Sequence, residues 1–314
     1  MILTVTLNTS IDRLYLVDHV EQETVMRVRE VHNTPGGKGL NVSRVAKQLG
    51  EPVTAMGFIG GFHGKYLEDM IKQTGITPCF THVQAETRSC INIWDLSDQH
   101  STEFLEPGAP VSEAEVERFR TDFMERLPEA DTVTISGSVP AGVPQDLYGR
   151  MIRECRERDI PVLLDTSGNL LVNGVKACPT LIKPNEDEIR VLADAAPVDR
   201  GSMLRAIRKI AGQGITYVVL SLGAQGAILA ADGKFYLGRP PHIDPKNTVG
   251  CGDSMLAGFA VGIARGWPIR ESFKTALAVS AANAENLLTG CFDEKDYKAL
   301  LPEVEIREIR DGVG

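Results

Sequence analysis

Several patterns that would assign this 314-residue chain to a common class are absent from it. No two histidines have the His-x-x-x-His spacing of a helical metal site, and no apolar run is long enough to span a bilayer. No basic segment precedes the strand-like residues 1–5, so we expect no secretion signal and no membrane partner. Cys-x-x-Cys pairs and zinc-ligand spacings are also missing, since the six cysteines stand apart at Cys79, Cys90, Cys155, Cys178, Cys251 and Cys291. We therefore expect reduced thiols and a cytoplasmic location.

The chain is also short of positive charge. It has 33 Lys and Arg against 42 Asp and Glu, and this formal net charge of −9 argues against nucleic acid as the main partner. An anionic substrate would have to be bound by local basic groups against the overall field. Apolar residues make up 43% of the chain and charged residues 24%, as in an ordinary soluble protein with a sizeable core. With no internal repeats, low-complexity tracts or linkers, we expect residues 1–314 to form one domain.

The chain does contain two glycine clusters that each lead into a helix-forming stretch. In the segment 247–254, Gly250 and Gly252 flank Cys251, and Asp253 follows at once. A helix that begins here directs unpaired N–H groups and its positive end at the loop, which makes an anion site that glycines leave open to close approach.

The aspartate in this segment is informative because it would repel a bound phosphate. It suits a base that takes a proton from a substrate hydroxyl, while the N–H groups of Gly250, Cys251 and Gly252 hold the charge of a phosphoryl group in transfer. The alternative is a glycine-rich turn in which Asp253 or Ser254 is an ordinary N-cap.

The second cluster includes Gly36, Gly37 and Gly39 and leads into an apolar-periodic helix that ends before Gly50. Lys38 and Asn41 lie one helical turn apart, so a ligand on the glycines could contact both. No Gly-Lys pair in the chain fits the P-loop pattern, and no Gly-x-Gly-x-x-Gly occurs. The two anion sites therefore belong to neither common nucleotide-binding fold.

Strand-like and helical patterns alternate along most of the chain. The alternation predicts a mostly parallel sheet with helices on both faces, whose ligands bind beyond the carboxyl ends of the strands. We predict strands at 2–7, 53–59, 132–135, 162–164, 180–182 and 217–220, and helices near 38–49, 64–74, 112–126, 144–158, 185–193 and 201–212. Polar residues follow these strands in register at Asp12, 60–61, 136–138, Asp165, 183–185 and 221–223. Segments near 13–18, 25–32, 78–83, 88–95 and 101–105 alternate apolar with polar residues and predict a small inserted antiparallel sheet.

Residues 35–41 and 247–254 together resemble the two signatures of the PfkB (ribokinase-like) family of carbohydrate kinases. They occur in the family's order and spacing, and the resemblance extends over essentially the whole chain. Segments 6–12 and 36–41 are similar to its phosphosugar branch, the 1-phosphofructokinases and tagatose-6-phosphate kinases. Cys251 departs from the pattern, since relatives usually carry alanine there. The resemblance implies a ribokinase-like α/β fold whose lid strands are inserted at about 13–32 and 78–106.

The resemblance also implies roles for residues on the sugar side. Asp253 would be the catalytic base, and the sugar would be bound by Asp12, Gly36, Gly37 and Asn41, with Lys38 and Ser136 also on this side. Arg88 in the lid would hold the phosphate already on the substrate, because its planar guanidinium can bind phosphate with two hydrogen bonds. Arg27 matches a phosphate contact that some relatives make across a dimer, so we expect a homodimer through the lid. The plainer alternatives are a strand-end cap for Asp12, a solvated helix lysine for Lys38 and a solubilising edge charge for Arg88.

On the nucleotide side, segment 183–188 resembles the family's Asn-x-x-Glu element. Glu188 would place Mg²⁺ near the ATP phosphates, and Lys183 and Asn185 would contact the nucleotide; an acidic first helical turn is the alternative. The loop with Ser221, Gly223 and Gly226 resembles the one around the nucleotide phosphates, and Asn283 resembles an adenine-pocket residue; the alternative for both is a structural turn or packing.

The resemblance therefore implies Mg-ATP-dependent phosphorylation of a hexose phosphate. Conversion of fructose 1-phosphate to fructose 1,6-bisphosphate is the first choice, and conversion of tagatose 6-phosphate to tagatose 1,6-bisphosphate is the nearest alternative. A non-catalytic sugar-phosphate sensor on the same fold is a more remote one, which an intact Asp253 disfavours.

Overall fold

The computed structural model describes residues 1–193 and 199–310. Its strands are β1 Ile2–Thr6, β2 Ser10–Val17, β3 Glu30–Gly36, β4 Val53–Gly60, β5 Thr77–Val83, β6 Arg88–Asp95, β7 His100–Leu105, β8 Thr132–Ser136, β9 Val162–Asp165, β10 Leu181–Ile182, β11 Tyr217–Ser221, β12 Ala227–Ala231, β13 Lys234–Arg239 and β14 Glu305–Ile309. Its α-helices are α1 Lys38–Gln48, α2 Gly61–Gln73, α3 Glu113–Arg126, α4 Leu147–Arg156, α5 Gly168–Val175, α6 Glu186–Ala193, α7 Arg200–Ala211, α8 Cys251–Ala264, α9 Ile269–Ala284 and α10 Glu294–Leu300. No helix among the described residues is both long and apolar enough to cross a membrane.

Ten strands form one large sheet in the order β14-β13-β12-β11-β10-β9-β8-β1-β4-β5. Neighbouring strands from β11 to β5 run parallel, whereas β12, β13 and β14 pair antiparallel. The interior strand β1 is buried along its whole length, as expected for a parallel strand covered on both faces. The predicted mostly parallel sheet is confirmed, although the antiparallel strands β12 to β14 were not anticipated.

Helices cover both faces of this sheet, so the predicted sandwich is confirmed. Side chains of α3 to α7 pack with one face in a single buried cluster that includes Leu3, Val5 and Phe119. Side chains of α1, α2, α8, α9 and α10 pack with the opposite face, where Ile2 and Phe259 are buried. Alternate residues of β1 therefore point into different cores, which is the two-residue period of a strand.

A second, four-stranded sheet in the order β3-β2-β6-β7 forms the lid. Its outer pairs are antiparallel, and its central pair β2 and β6 is parallel. One predicted lid strand was placed wrongly: residues 78–83 lie in β5, which runs parallel to β4 at the edge of the large sheet. The alternating pattern reports a half-exposed strand and cannot distinguish one sheet edge from another. The strand predicted near 25–32 begins only at Glu30, and Asp12 lies inside β2 instead of after a strand end.

Candidate active site

A cavity of about 310 Å³ lies between the lid and the carboxyl ends of the parallel strands. Helices α1 and α8, which follow the two glycine clusters, both begin at this cavity and pack against each other. The topology thus brings together segments that are far apart in the sequence. The predicted site residues that line the cavity are Asp12, Gly37, Lys38, Asn41, Arg88, Gly250, Gly252 and Asp253.

The loop before α8 has the geometry of an anion site. Gly250 has a φ of 80°, in the left-handed region that favours glycine. The Cys251 amide donates to the Thr248 carbonyl at 3.3 Å, so this amide closes a turn and is not free for a ligand. Within the described chain, the amides of Gly250, Gly252 and Asp253 remain open at this helix end. The predicted N–H role is therefore corrected for Cys251, and Asp253 contributes an amide that sequence reasoning missed.

Asp253 lies at the first turn of α8 and is only 4% exposed. Asn41 Nδ2 donates to Asp253 Oδ2 at 2.8 Å, and Arg44 Nη2 donates to Asn41 Oδ1 at 2.6 Å. Arg44 therefore fixes the amide so that its donor faces the carboxylate. Burial raises the pKa of Asp253 above the ordinary aspartate value; the Lys38 charge opposes this rise and the Asp165 charge adds to it. A buried carboxylate with a raised pKa is suited to accept a proton.

Asp165, at the end of β9, connects two lysines in the cleft. Its Oδ2 atom lies 3.5 Å from Lys38 Nζ and 3.4 Å from Lys183 Nζ. Burial would raise the pKa of Asp165, but the charges of Lys183 and Lys38 outweigh it and lower the pKa below the ordinary value. Sequence reasoning placed Asp165 among the polar strand ends without giving it a role, because nothing in its immediate sequence shows that two distant lysines converge on it.

Asp12 lies on β2 at the sugar side of the cavity. It accepts a hydrogen bond from Ser10 Oγ at 2.6 Å, and burial raises its pKa despite this bond and the nearby charges of Arg44 and Arg88. A Cβ added at Gly36 would lie 2.0 Å from Asp12 Oδ1. Gly36 therefore makes room for the Asp12 carboxylate, which is a more specific role than the general sugar contact predicted for it.

Arg88 opens onto two cavities at once. It lines the main cavity and a second one of about 200 Å³, which Lys38 and Ser136 also line. Its Nη1 and Nη2 donate to the carbonyls of Glu106 at 2.6 Å and Asn8 at 3.0 Å, and its Nε has no hydrogen-bond partner among the described residues. The Ser136 hydroxyl is buried and has no partner there either. The second cavity thus combines two cationic side chains with an open hydroxyl, as an anion site requires.

Arg27 and Asn283 are among the predicted site residues that line neither of these cavities. Arg27 is exposed between β2 and β3 and is not among the described lining residues. Asn283 is fully buried: its amide donates to the Val249 carbonyl and to Cys251 Sγ, and its carbonyl accepts from the amides of Gly290 and Cys291. These hydrogen bonds fix the loop before α8, and the predicted place of Asn283 in an adenine pocket stays a prediction.

The predicted metal element is an N-cap of α6. Asn185 Oδ1 accepts from the amides of Asp187 at 3.0 Å and Glu188 at 2.8 Å, and Glu188 Oε2 accepts from the Asn185 amide at 2.9 Å. Burial and the charge of Asp165 raise the pKa of Glu188, against the opposing effect of its bond to Asn185. This reciprocal cap fixes both side chains and leaves Glu188 Oε1 without a hydrogen-bond partner among the described residues, so this oxygen can accept a ligand.

Metal binding by protein groups alone is not supported among residues 1–193 and 199–310, where no cluster of three or more His, Cys, Asp or Glu side chains is arranged to hold an ion. Mg²⁺ needs no such cluster, since it commonly retains several waters and binds one or two carboxylates together with substrate phosphates. Glu188 fits that limited role.

The predicted phosphate loop follows β11. Ser221 Oγ donates to the Pro184 carbonyl at 3.4 Å, which joins this loop to the segment that carries Lys183. Gly223 and Gly226 have φ values of 55° and 95°, and a Cβ at Gly226 would lie 2.0 Å from a backbone carbonyl oxygen. The loop is therefore built on glycines for backbone reasons, and whether its amides bind phosphate stays a prediction.

The fold and the cleft define a kinase that transfers a phosphoryl group to a sugar. Residues 5–294 match the pfkB family of carbohydrate kinases, and the chain belongs to this family. It is accordingly an ATP-dependent sugar kinase.

Solved structures of phosphofructokinases are similar over nearly the whole chain. Phosphofructokinase-2 from Escherichia coli, in complex with potassium, is 26% identical with a TM-score of 0.89, covering 96% of this chain and 98% of its own. A Thermotoga maritima structure described as a possible 1-phosphofructokinase is 26% identical with a TM-score of 0.87, covering 99% and 100%. A provisionally named phosphofructokinase from Staphylococcus aureus is 29% identical with a TM-score of 0.83, also covering 99% and 100%.

Proposed function

We propose that this kinase phosphorylates a hexose phosphate with Mg-ATP, converting fructose 1-phosphate to fructose 1,6-bisphosphate. The observation that carries the proposal is the second cavity, where Lys38, Arg88 and Ser136 adjoin the cleft that contains Asp253. A free sugar has no group that needs two cations, whereas a phosphate already on the substrate does. Tagatose 6-phosphate remains the alternative substrate.

In the proposed reaction, Asp12 and Asn41 hold sugar hydroxyls while Asp253 removes the proton from the hydroxymethyl oxygen. That oxygen attacks the γ-phosphorus of ATP. The bond between the γ-phosphorus and the β–γ bridging oxygen breaks, and ADP leaves. The open amides at the start of α8 stabilise the charge on the phosphoryl group. The lid covers the cleft and excludes water.

Lys183, Asn185, Glu188 and the loop 221–226 form the nucleotide half in this proposal. Mg²⁺ would neutralise charge on the ATP phosphates and would be held near them by Glu188, largely through water. The Ser221 contact to Pro184 keeps the two nucleotide segments together. Asn283 and Cys251 shape the loop that carries Asp253 in this proposal.

We also propose that two copies associate through their lids. The lid strand β7 is exposed along its whole length, with Phe104 58% and Leu105 65% exposed, and Val25 beside Arg27 is 93% exposed. Phe104 and Leu105 on the small sheet and Val25 in the segment between β2 and β3 thus expose apolar surface, which favours burial against a partner. A second copy placed there would bring its own Arg27 toward the lid. Phe104→Asp should lower the molar mass measured by light scattering if the lid is the interface, and an unchanged mass would exclude it.

The reaction takes place in the cytoplasm in this proposal, since all six cysteines are free thiols in the structure.

A coupled assay that measures ADP release across a phosphosugar panel tests the substrate. Fructose 1-phosphate should give the highest kcat/KM, compared with tagatose 6-phosphate, fructose 6-phosphate and free fructose. A preference for tagatose 6-phosphate would select the alternative, and a preference for free fructose would refute a phosphosugar substrate. Sugar phosphate binding without turnover, in wild type and Asp253→Asn alike, would instead support a sensor.

A further inference from the structure

Asp165 occupies a junction that the proposed reaction does not yet use. It is the last residue of β9, is 1% exposed and pairs in register with Ser136 on β8. One of its oxygens, Oδ2, lies within 3.5 Å of the ammonium groups of both Lys38 and Lys183. The two ammonium groups are thus close enough to repel each other, and the carboxylate between them offsets that repulsion.

The two lysines serve different halves of the cleft. Lys38 is the first residue of α1 and lines both cavities on the sugar side. Lys183 follows β10 and is almost completely buried, and a Cβ added at Gly252 would lie 3.1 Å from its Nζ. The Lys183 ammonium therefore lies against the first turn of α8, where the amides proposed to hold the transferred phosphoryl group are open.

The second oxygen of Asp165 argues against a purely structural role. Oδ1 is buried and has no hydrogen-bond partner among the described residues. A buried oxygen without a partner calls for an explanation, and apolar replacements of buried ion pairs are often neutral or stabilising, so stability alone does not account for this carboxylate. The position of this carboxylate is explained better by its ion pairs with Lys38 and Lys183.

We propose that Asp165 is a positioning residue that holds Lys38 at the substrate phosphate and Lys183 at the phosphoryl-transfer loop through a single carboxylate oxygen. This inference rests on the proposed function, because it presumes that the two lysines bind different substrates. Asp165 itself touches neither substrate, so one substitution there should weaken both halves of the cleft.

The test is a double-mutant cycle read by calorimetric binding in the absence of turnover. Lys38→Gln should weaken fructose 1-phosphate binding and spare ATP, and Lys183→Gln should do the reverse. Asp165→Asn should weaken both by about 10–150-fold, the range for loss of a charged hydrogen bond. When Asp165→Asn is added to either lysine variant, the affinity for the substrate which that lysine binds should fall little further. Additive losses would overturn the positioning role.

A pH profile supplies a second readout, which should not change if Asp165 has only a structural role. Asp253 faces Lys38 and Arg44 on α1, Asp165 on β9, Lys183 after β10 and the Cys251 thiol on its own helix. The charge of Asp165 raises the pKa of Asp253. Asp165→Asn should therefore shift the acidic limb of the kcat/KM profile to lower pH. An unshifted limb with weakened binding would contradict the inference.

The matched control is Asp122→Asn. Asp122 lies on α3, away from the cleft, and its half-buried carboxylate accepts a hydrogen bond from Thr81 on β5. This variant should leave both binding constants and the pH profile unchanged. Asp165→Glu should restore part of the loss, because it keeps the charge. If Asp253→Asn retains full turnover, the proposed function fails; if only the Asp165 cycle is additive, the positioning role alone fails.

Discussion

Gly36→Ala tests the sugar side of the cleft through sterics alone. Gly36 has no positive φ, so the backbone accepts alanine, but the new Cβ would lie 2.0 Å from Asp12 Oδ1 and 2.4 Å from Oδ2. Ordinary contacts begin near 3.4 Å, so the carboxylate has to move by more than about 1 Å. That movement also disturbs the 2.6 Å hydrogen bond from Ser10.

A displacement of this size at a positioning residue costs about 10²-fold in rate. We expect kcat/KM for the phosphosugar to fall by that factor, while the ATP dissociation constant measured by calorimetry stays near wild type. Gly201→Ala is a suitable control, because its Cβ would meet side chains at 3.4 Å or more within α7. It should leave both parameters unchanged.

The double variant decides whether Asp12 is the cause. In an Asp12→Ala background the added methyl group has nothing to displace, so Gly36→Ala should cost little more there. Equal costs in both backgrounds, or an equal loss of ATP affinity, would show that Gly36→Ala deforms the whole cleft. Near-normal kinetics in the single variant would remove Asp12 from sugar binding.

Four further predictions concern charged residues. Burial raises the pKa of Asp253, so folding stability should fall as pH rises above about 3.8. The melting temperature of Asp253→Asn should therefore be higher than that of wild type near pH 8 and equal to it near pH 4. A lower melting temperature for the variant at pH 8 would contradict this. The same variant should lose at least ~10²–10⁴-fold in kcat with ATP binding retained. Glu188→Gln should raise the Mg²⁺ concentration needed for half-maximal rate; a change confined to the sugar KM would place Glu188 elsewhere. Arg88→Ala should raise KM for the phosphosugar by about 10–150-fold and barely change KM for free fructose. Arg88 also donates to the carbonyls of Asn8 and Glu106, so equal losses on both sugars would mean that it only supports the lid.

The sequence predicted the parts of this protein that depend on local pattern. The six helices expected from periodicity are all present, with ends shifted by at most three residues. The glycine clusters predicted where α1 and α8 begin, because a helix start has a local signature. The misplaced strand β5 and the unanticipated strands β12 to β14 depend on which edges pair, and pairing is decided by contacts between distant segments.

The same limit applies to the candidate site. Asp253 and Asn41 could be identified because each follows a glycine cluster, whereas the convergence of Lys38 and Lys183 on Asp165 requires three segments to meet. Asn283 shows the same limit: its type and position suit a ligand contact, and only the structure shows that its side chain also bonds the loop before α8 and the amide of Gly290. Residue type alone does not distinguish a group that binds a ligand from one that holds the binding loop.

The concentration of buried charge at one end of the sheet is itself an argument for function. Asp165, Asp253, Lys183 and Arg44 are each less than a tenth exposed, and two acids have their pKa values moved in opposite directions, Asp253 upward and Asp165 downward. Burying charges costs stability unless they are fully paired, so such a group is retained for chemistry. The opposite shifts also separate the roles. Asp165 is held ionised by the lysines it positions, and Asp253 is the carboxylate left poised to accept a proton.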